Sequence, residues 1–189
     1  MLIYLHGFNS SPQSNKARQL DQCLAERGLS GRYICPALPH QPSAAITEVE
    51  RRLTELAGPF CFIGSSLGGF YATYLAEKHD ARAILINPAI DPHIGLRPLL
   101  GEQENLHTHE RYRLTERHLD EWRRFCVEKI EPQRYLVLLE TGDEVLDYRT
   151  ALSRYAGACQ IVIEGGDHSL QSFPQHLGLI MHFAGLSEP

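Results

Sequence analysis

Apolar side chains fall into two rhythms along the chain. Short runs rich in β-branched and aromatic residues recur at 2–5, 32–35, 60–63, 82–86, 135–139 and 160–163, and each reads as a strand. Between them the apolar positions are spaced three and four apart. Ala17, Leu20, Cys23 and Leu24 mark one helix, and Ile46, Val49, Leu53 and Leu56 a second, with Ser43 standing where its N-cap is expected. Further helices are expected at 66–79, 148–156 and 173–183, the last with Leu177, Ile180, Met181 and Ala184 on one side.

Strand and helix alternating in this way predict an α/β architecture, a mostly parallel six-stranded sheet with helices on both faces, because parallel neighbours need crossover connections. The length fits a single domain over residues 1–189. One connection is unlike the rest: residues 87–134 exceed what a crossover helix needs. They hold a Thr115-led helical segment with Leu119, Trp122, Phe125 and Cys126 on one face. The whole insertion 87–134 is expected to be a small helical lid over a site, with Trp122 and Phe125 shaping a substrate pocket. Scaffold packing is the alternative use of the same apolar face.

Composition narrows the field. A net charge of −5 argues against nucleic acid as a partner. No stretch approaches the length of a membrane span, and the apolar start of the chain is too short for a signal peptide. Five scattered cysteines (23, 35, 61, 126 and 159), without a CxxC pair, suggest reduced thiols in a cytoplasmic protein and no metal or redox centre.

The chemistry concentrates at strand ends. The run 60–63 leads into Gly64-Ser65-Ser66-Leu67-Gly68 and then into a helix, the strand-turn-helix context that presents a serine on a tight turn. Ser66 is the expected nucleophile. Chance occurrence of this spacing in such a chain is about 0.07. Neither a Walker A lysine nor a dinucleotide GxGxxG is present, so the glycines do not read as a phosphate loop. The first strand ends in His6-Gly7-Phe8, which assigns an oxyanion hole to the backbone N–H groups of Phe8 and Leu67 and leaves His6 as a buried loop-shaping histidine. Beyond the fifth strand lie Asp143 and Asp147: Asp143 is the expected triad acid, and Asp147 is either its alternative or the cap of the next helix. After the last strand, Gly165-Gly166-Asp167-His168 offers His168 as general base, chosen from ten histidines. The chain order Ser66, Asp143, His168 is that of the α/β-hydrolases.

With these elements placed, the chain resembles the small bacterial esterases of the YqiA type. The likeness is carried by residues 6–12, the 64–69 turn, Asn87-Pro88-Ala89, 142–148 and 165–169. It implies carboxylesterase activity on a small-molecule acyl ester, with acyl-CoA thioesters as an alternative substrate; no cofactor is expected. Arg97, Arg111, Arg113, Arg117, Arg123 and Arg124 of the insertion could meet CoA phosphates, but interleaved acids also fit a plain solvated face. A non-catalytic binding protein on the same fold is the reading from another class.

Overall fold

The computed structural model describes residues 1–186; residues 187–189 of the expected domain lie outside it. In chain order the elements are β1 (Leu2–Leu5), α1 (Asn15–Glu26), β2 (Tyr33–Ile34), α2 (Pro42–Leu53), β3 (Cys61–Ser65), α3 (Leu67–His79) and β4 (Arg82–Ile86). The insertion follows with α4 (Pro92–Gly95), β5 (Gly101–Glu104), β6 (Arg111–Leu114) and α5 (Glu116–Arg124). The chain ends with β7 (Tyr135–Glu140), α6 (Tyr148–Arg154), β8 (Cys159–Ile163) and α7 (Leu177–Phe183). Six strands form one sheet in the order β2-β1-β3-β4-β7-β8, and every pairing in it is parallel.

Alternation within each strand builds two cores. Ile3, Leu5, Phe62, Leu85 and Val137 face α2, α3, α5 and α6, while Leu2, Tyr4, Ile63, Ile84 and Leu138 face α1 and α7. The central strands therefore read as unbroken apolar runs, as strands covered on both faces must. At the edge, β2 keeps only two residues of the expected four.

The expected place of Trp122 and Phe125 in a substrate pocket is corrected by the packing of α5. In α5, Leu119 and Trp122 are fully buried in the core shared with α2 and α3. Trp122 Nε1 donates to the Tyr71 hydroxyl at 2.8 Å, and Phe125 packs against Tyr74 with ring centroids 4.8 Å apart. The helix face that wanted cover found the scaffold. The insertion also contains an element that apolar alternation does not announce, the antiparallel β5–β6 hairpin, whose register sets Glu102 opposite Arg113 and Glu104 opposite Arg111. Ser43 is not a cap: α2 starts at Pro42 after Gln41, and the Ser43 N–H donates to Glu121 of α5 at 3.0 Å. The last expected helix is a 3-10 turn, Phe173–His176, continued by α7.

Trp122→Ala is expected to lower stability by about 3–5 kcal/mol, the usual cost of emptying a large buried aromatic site. Urea unfolding followed by circular dichroism reads this. An unchanged midpoint would mean that α5 is not anchored through its indole.

Candidate active site

The carboxyl ends of β1, β3, β4, β7 and β8 converge on Ser66. This residue follows β3 and precedes α3 with φ 55° and ψ −120°, a conformation that a non-glycine residue holds only when its surroundings impose it. The imposition is steric. A Cβ on Gly64 would lie 2.1 Å from the Gly68 carbonyl oxygen, and one on Gly68 would lie 1.9 Å from the Leu5 carbonyl oxygen. Only glycine lets the turn close and the first turn of α3 touch β1. Backbone bonds lock the result: Ser66 N–H donates to Ile86 at 3.0 Å, and its carbonyl accepts from Gly69 and Ala89 at 2.9 and 3.0 Å.

His168 Nε2 lies 3.0 Å from Ser66 Oγ. Its Nδ1 lies 2.8 and 3.0 Å from the two carboxylate oxygens of Asp143. Nδ1–H donates to the carboxylate, so the Nε2 lone pair faces the serine hydroxyl and accepts its hydrogen bond. The Asp143 side chain is only 2% exposed. Burial opposes its charge, but the His168 ring and the N–H groups of Leu146 and Val145 outweigh that and hold the carboxyl below its ordinary range. Asp147 takes the other expected part: it caps α6, accepting from Arg149 N–H at 3.0 Å.

The loop that carries His168 is tied down on all sides. Buried Glu140, at the end of β7, accepts from the N–H groups of Asp167, Gln171 and Ser172 at 2.8, 3.0 and 2.8 Å. Burial alone would raise its pKa, but the bonds from Ser172, Asp167 and Gln171 prevail and keep it low. Asn87 Nδ2 donates to the carbonyls of Asp167 and His168 at 3.1 and 3.2 Å, while its Oδ1 accepts from Glu140 N–H. Glu144 accepts from His168 N–H at 2.9 Å, and Lys16 Nζ donates to the Ser169 carbonyl at 2.7 Å. The sequence assigns no role to Glu140, Asn87, Glu144 or Lys16. Glu140 closes an apolar run like any strand terminus, whereas Asn87 and Glu144 lie in stretches that carry the family likeness.

Phe8, Leu67, Ser66 and His168 line one cavity of about 580 Å³. Leu67 is the first residue of α3, where N–H groups lack intrahelical acceptors and the helix dipole favours negative charge. Gly7 brings the β1 loop against Ser66, with a Cβ there falling 3.4 Å from the serine Cβ. The apolar wall comes from Ile90, Leu96, Leu99, Leu106, Val145 and Leu146. Trp122 and Phe125, expected in this pocket, are not among its lining residues. Trp122 is in the core, and Phe125 borders a separate cavity of about 260 Å³ with Phe70 and Tyr155. Among the described residues one group has the makings of a metal site, Asp91, His93 and Cys126, with ligand atoms within 4.8 Å of one another. It lies outside the Ser66 cluster: of the three, only Asp91 borders the 580 Å³ cavity, while Asp91 and Cys126 both border the smaller one.

The family described as "Uncharacterised protein family (UPF0227)" matches residues 1–185. A UPF0227 protein of Serratia proteamaculans (strain 568) is 27% identical over 194 aligned residues, covering 98% of this chain and 99% of the relative. Among solved structures, mouse alpha/beta hydrolase domain-containing protein 10 superposes with a TM-score of 0.75 at 19% identity, over 98% of this chain and 90% of that one. Est1E from Butyrivibrio proteoclasticus superposes with a TM-score of 0.66 at 17% identity, over 96% and 83%. These likenesses establish the α/β-hydrolase fold. No helix among the described residues is long and apolar enough to cross a membrane.

His6 is buried, as expected: its Nε2 accepts from Leu38 N–H at 3.0 Å and its Nδ1 meets the Gly7 carbonyl at 3.2 Å. Burial pushes its pKa down to about 4, against about 6.5 in an unfolded chain. The folded protein thus binds fewer protons than the unfolded one between those values, and stability falls as pH drops through that window. Urea unfolding from pH 7 to pH 4.5 should show a steeper loss for the wild type than for His6→Gln, which supplies a non-titrating acceptor. Equal slopes would place the ring's neutrality outside the folding equilibrium.

Proposed function

This chain belongs to UPF0227, and from the Ser66–His168–Asp143 arrangement on its α/β-hydrolase fold we propose that it is a serine hydrolase cleaving acyl esters. The observation that carries this reading is the continuous hydrogen-bond path from Ser66 Oγ through the His168 ring to a buried carboxylate. His168 Nε2 takes the hydroxyl proton as Oγ attacks the acyl carbon, forming a tetrahedral oxyanion. The Phe8 and Leu67 N–H groups receive that charge. His168 then returns the proton to the leaving alcohol as the C–O bond breaks, giving an acyl-enzyme on Ser66. A water deprotonated by the same nitrogen attacks the acyl carbon and releases the acid. Asp143 keeps the ring in the required tautomer and stabilises the imidazolium.

The apolar wall of the cavity supports an acyl group as the part bound. An ester rather than a CoA thioester is supported by the insertion's arginines. Arg97, Arg111 and Arg117 pair with Glu116, Glu104 and Glu121 at 2.7, 2.9 and 3.1 Å, so these cations already face carboxylates. The five cysteines, all free thiols, are consistent with a reducing compartment.

A fluorophosphonate probe should label the wild type on Ser66 and leave Ser66→Ala unlabelled, with kcat for p-nitrophenyl butyrate down by a factor on the order of 10⁶ in that variant. Asp143→Asn should lower kcat roughly 10⁴-fold, whereas Asp147→Asn should leave kcat nearly unchanged, since asparagine can still cap α6. An unlabelled wild type would favour a binding protein with an idle site, and the reverse ranking of the two aspartates would move the acid role to Asp147.

A further inference from the structure

The residues that follow Phe8 are held by the insertion. Asn9 has φ 50°, a left-handed conformation that asparagine tolerates better than most side chains, and it is bonded on three sides. Its Nδ2 donates to Gln103 Oε1 at 3.1 Å, its Oδ1 accepts from the Tyr112 hydroxyl at 2.7 Å, and its carbonyl accepts from Leu106 N–H at 2.9 Å. One residue on, the Ser10 carbonyl accepts from Asn105 Nδ2 at 2.8 Å. Gln103 belongs to β5, Tyr112 to β6, and Asn105 and Leu106 to the turn between them. The whole hairpin is therefore moored on two consecutive residues of the β1 loop, next to the proposed oxyanion donor.

The mooring has a rigid base. The Tyr112 ring stacks on His40, with centroids 4.1 Å apart and planes 17° from parallel. His118 accepts from Thr115 N–H through Nδ1 and meets His40 Nδ1 through Nε2 at 3.2 Å. His118 stands one turn before Trp122, whose indole is bonded to Tyr71 of α3. A path of packed rings thus runs from the helix that begins after Ser66, through α5, to the side chain that grips Asn9.

We propose that the β5–β6 hairpin sets the oxyanion hole: Asn9 and Tyr112 are positioning residues that fix the Phe8 N–H, a service the insertion adds to the apolar wall it gives the cavity. The inference rests on the hydrolase reading and deepens it. Displacing one donor by a fraction of an ångström forfeits part of the 10²–10³-fold that a whole oxyanion donor contributes.

The test uses p-nitrophenyl butyrate beside its thiono analogue, whose C=S sulfur is larger and a poorer acceptor and so draws little on the hole. Tyr112→Phe keeps the ring stack and removes the hydroxyl; Asn9→Gly keeps the left-handed backbone and removes both side-chain bonds. Each should lower kcat on the oxo ester by about 10- to 100-fold with KM within twofold, and lower kcat on the thiono ester far less. The double variant should be little worse than the worse single one, because both act through the same contact. Equal losses on both substrates at an unchanged melting temperature, or no loss on either with the wild type labelled on Ser66, would overturn the grip alone. Failure of the fluorophosphonate to label the wild type would overturn the hydrolase reading and this inference together.

Discussion

Everything at the top of the sheet depends on how closely the first turn of α3 approaches the end of β1. With Gly68 seated against the Leu5 carbonyl, the α3 axis is set, Ser66 is forced into its positive-φ turn, and the β1 loop falls beside the serine. A single methyl at Gly68 would have to push α3 off the strand, and so part the serine and the Leu67 N–H from the Phe8 loop. Backbone strain of this kind costs on the order of 1–3 kcal/mol, which the burial of β3 and α3 readily offsets.

The two halves of the site are held by different forces. Ser66 is fixed by repulsion between close-packed backbones, which no change of protonation relaxes. His168 is fixed by hydrogen bonds to side chains, chief among them the buried Glu140 carboxylate with its three backbone donors. A buried charge is expensive unless its hydrogen bonds are satisfied, so Glu140 is stabilising only while the His168 loop is wrapped around it. The loop and the carboxylate are thus folded together or lost together.

Much of this was legible in the sequence, for reasons that can be named. β1, β3, β4 and β7 are covered on both faces and so read as apolar runs. The Gly64-x-Ser66-x-Gly68 spacing is a steric demand written directly in residue types. Which aspartate meets His168 was harder to read, since Asp143 and Asp147 share one loop. What separates them is that the N–H groups of Val145 and Leu146 fold back onto Asp143, a matter of turn geometry. The use of α5 was not legible: periodicity says that the Leu119–Trp122 face is covered, not what covers it, and the scaffold competed successfully with the substrate cavity. The hairpin escaped because its strands are polar. Its side-chain contacts, Glu104 with Arg111 at 2.9 Å and the hold of Gln103 and Tyr112 on Asn9, appear only once the register is known.

Trp122 is the protein's sole tryptophan, and it lies where the insertion meets α3. Light absorbed near 295 nm therefore excites one indole at one junction, hydrogen-bonded to a tyrosine hydroxyl and shielded from water. Emission wavelength and quenching by iodide become an intrinsic optical gauge of whether α5 is docked. Because no second indole contributes, a partial undocking of the insertion that leaves the sheet intact registers at full amplitude, a spectroscopic advantage that needs no engineered label.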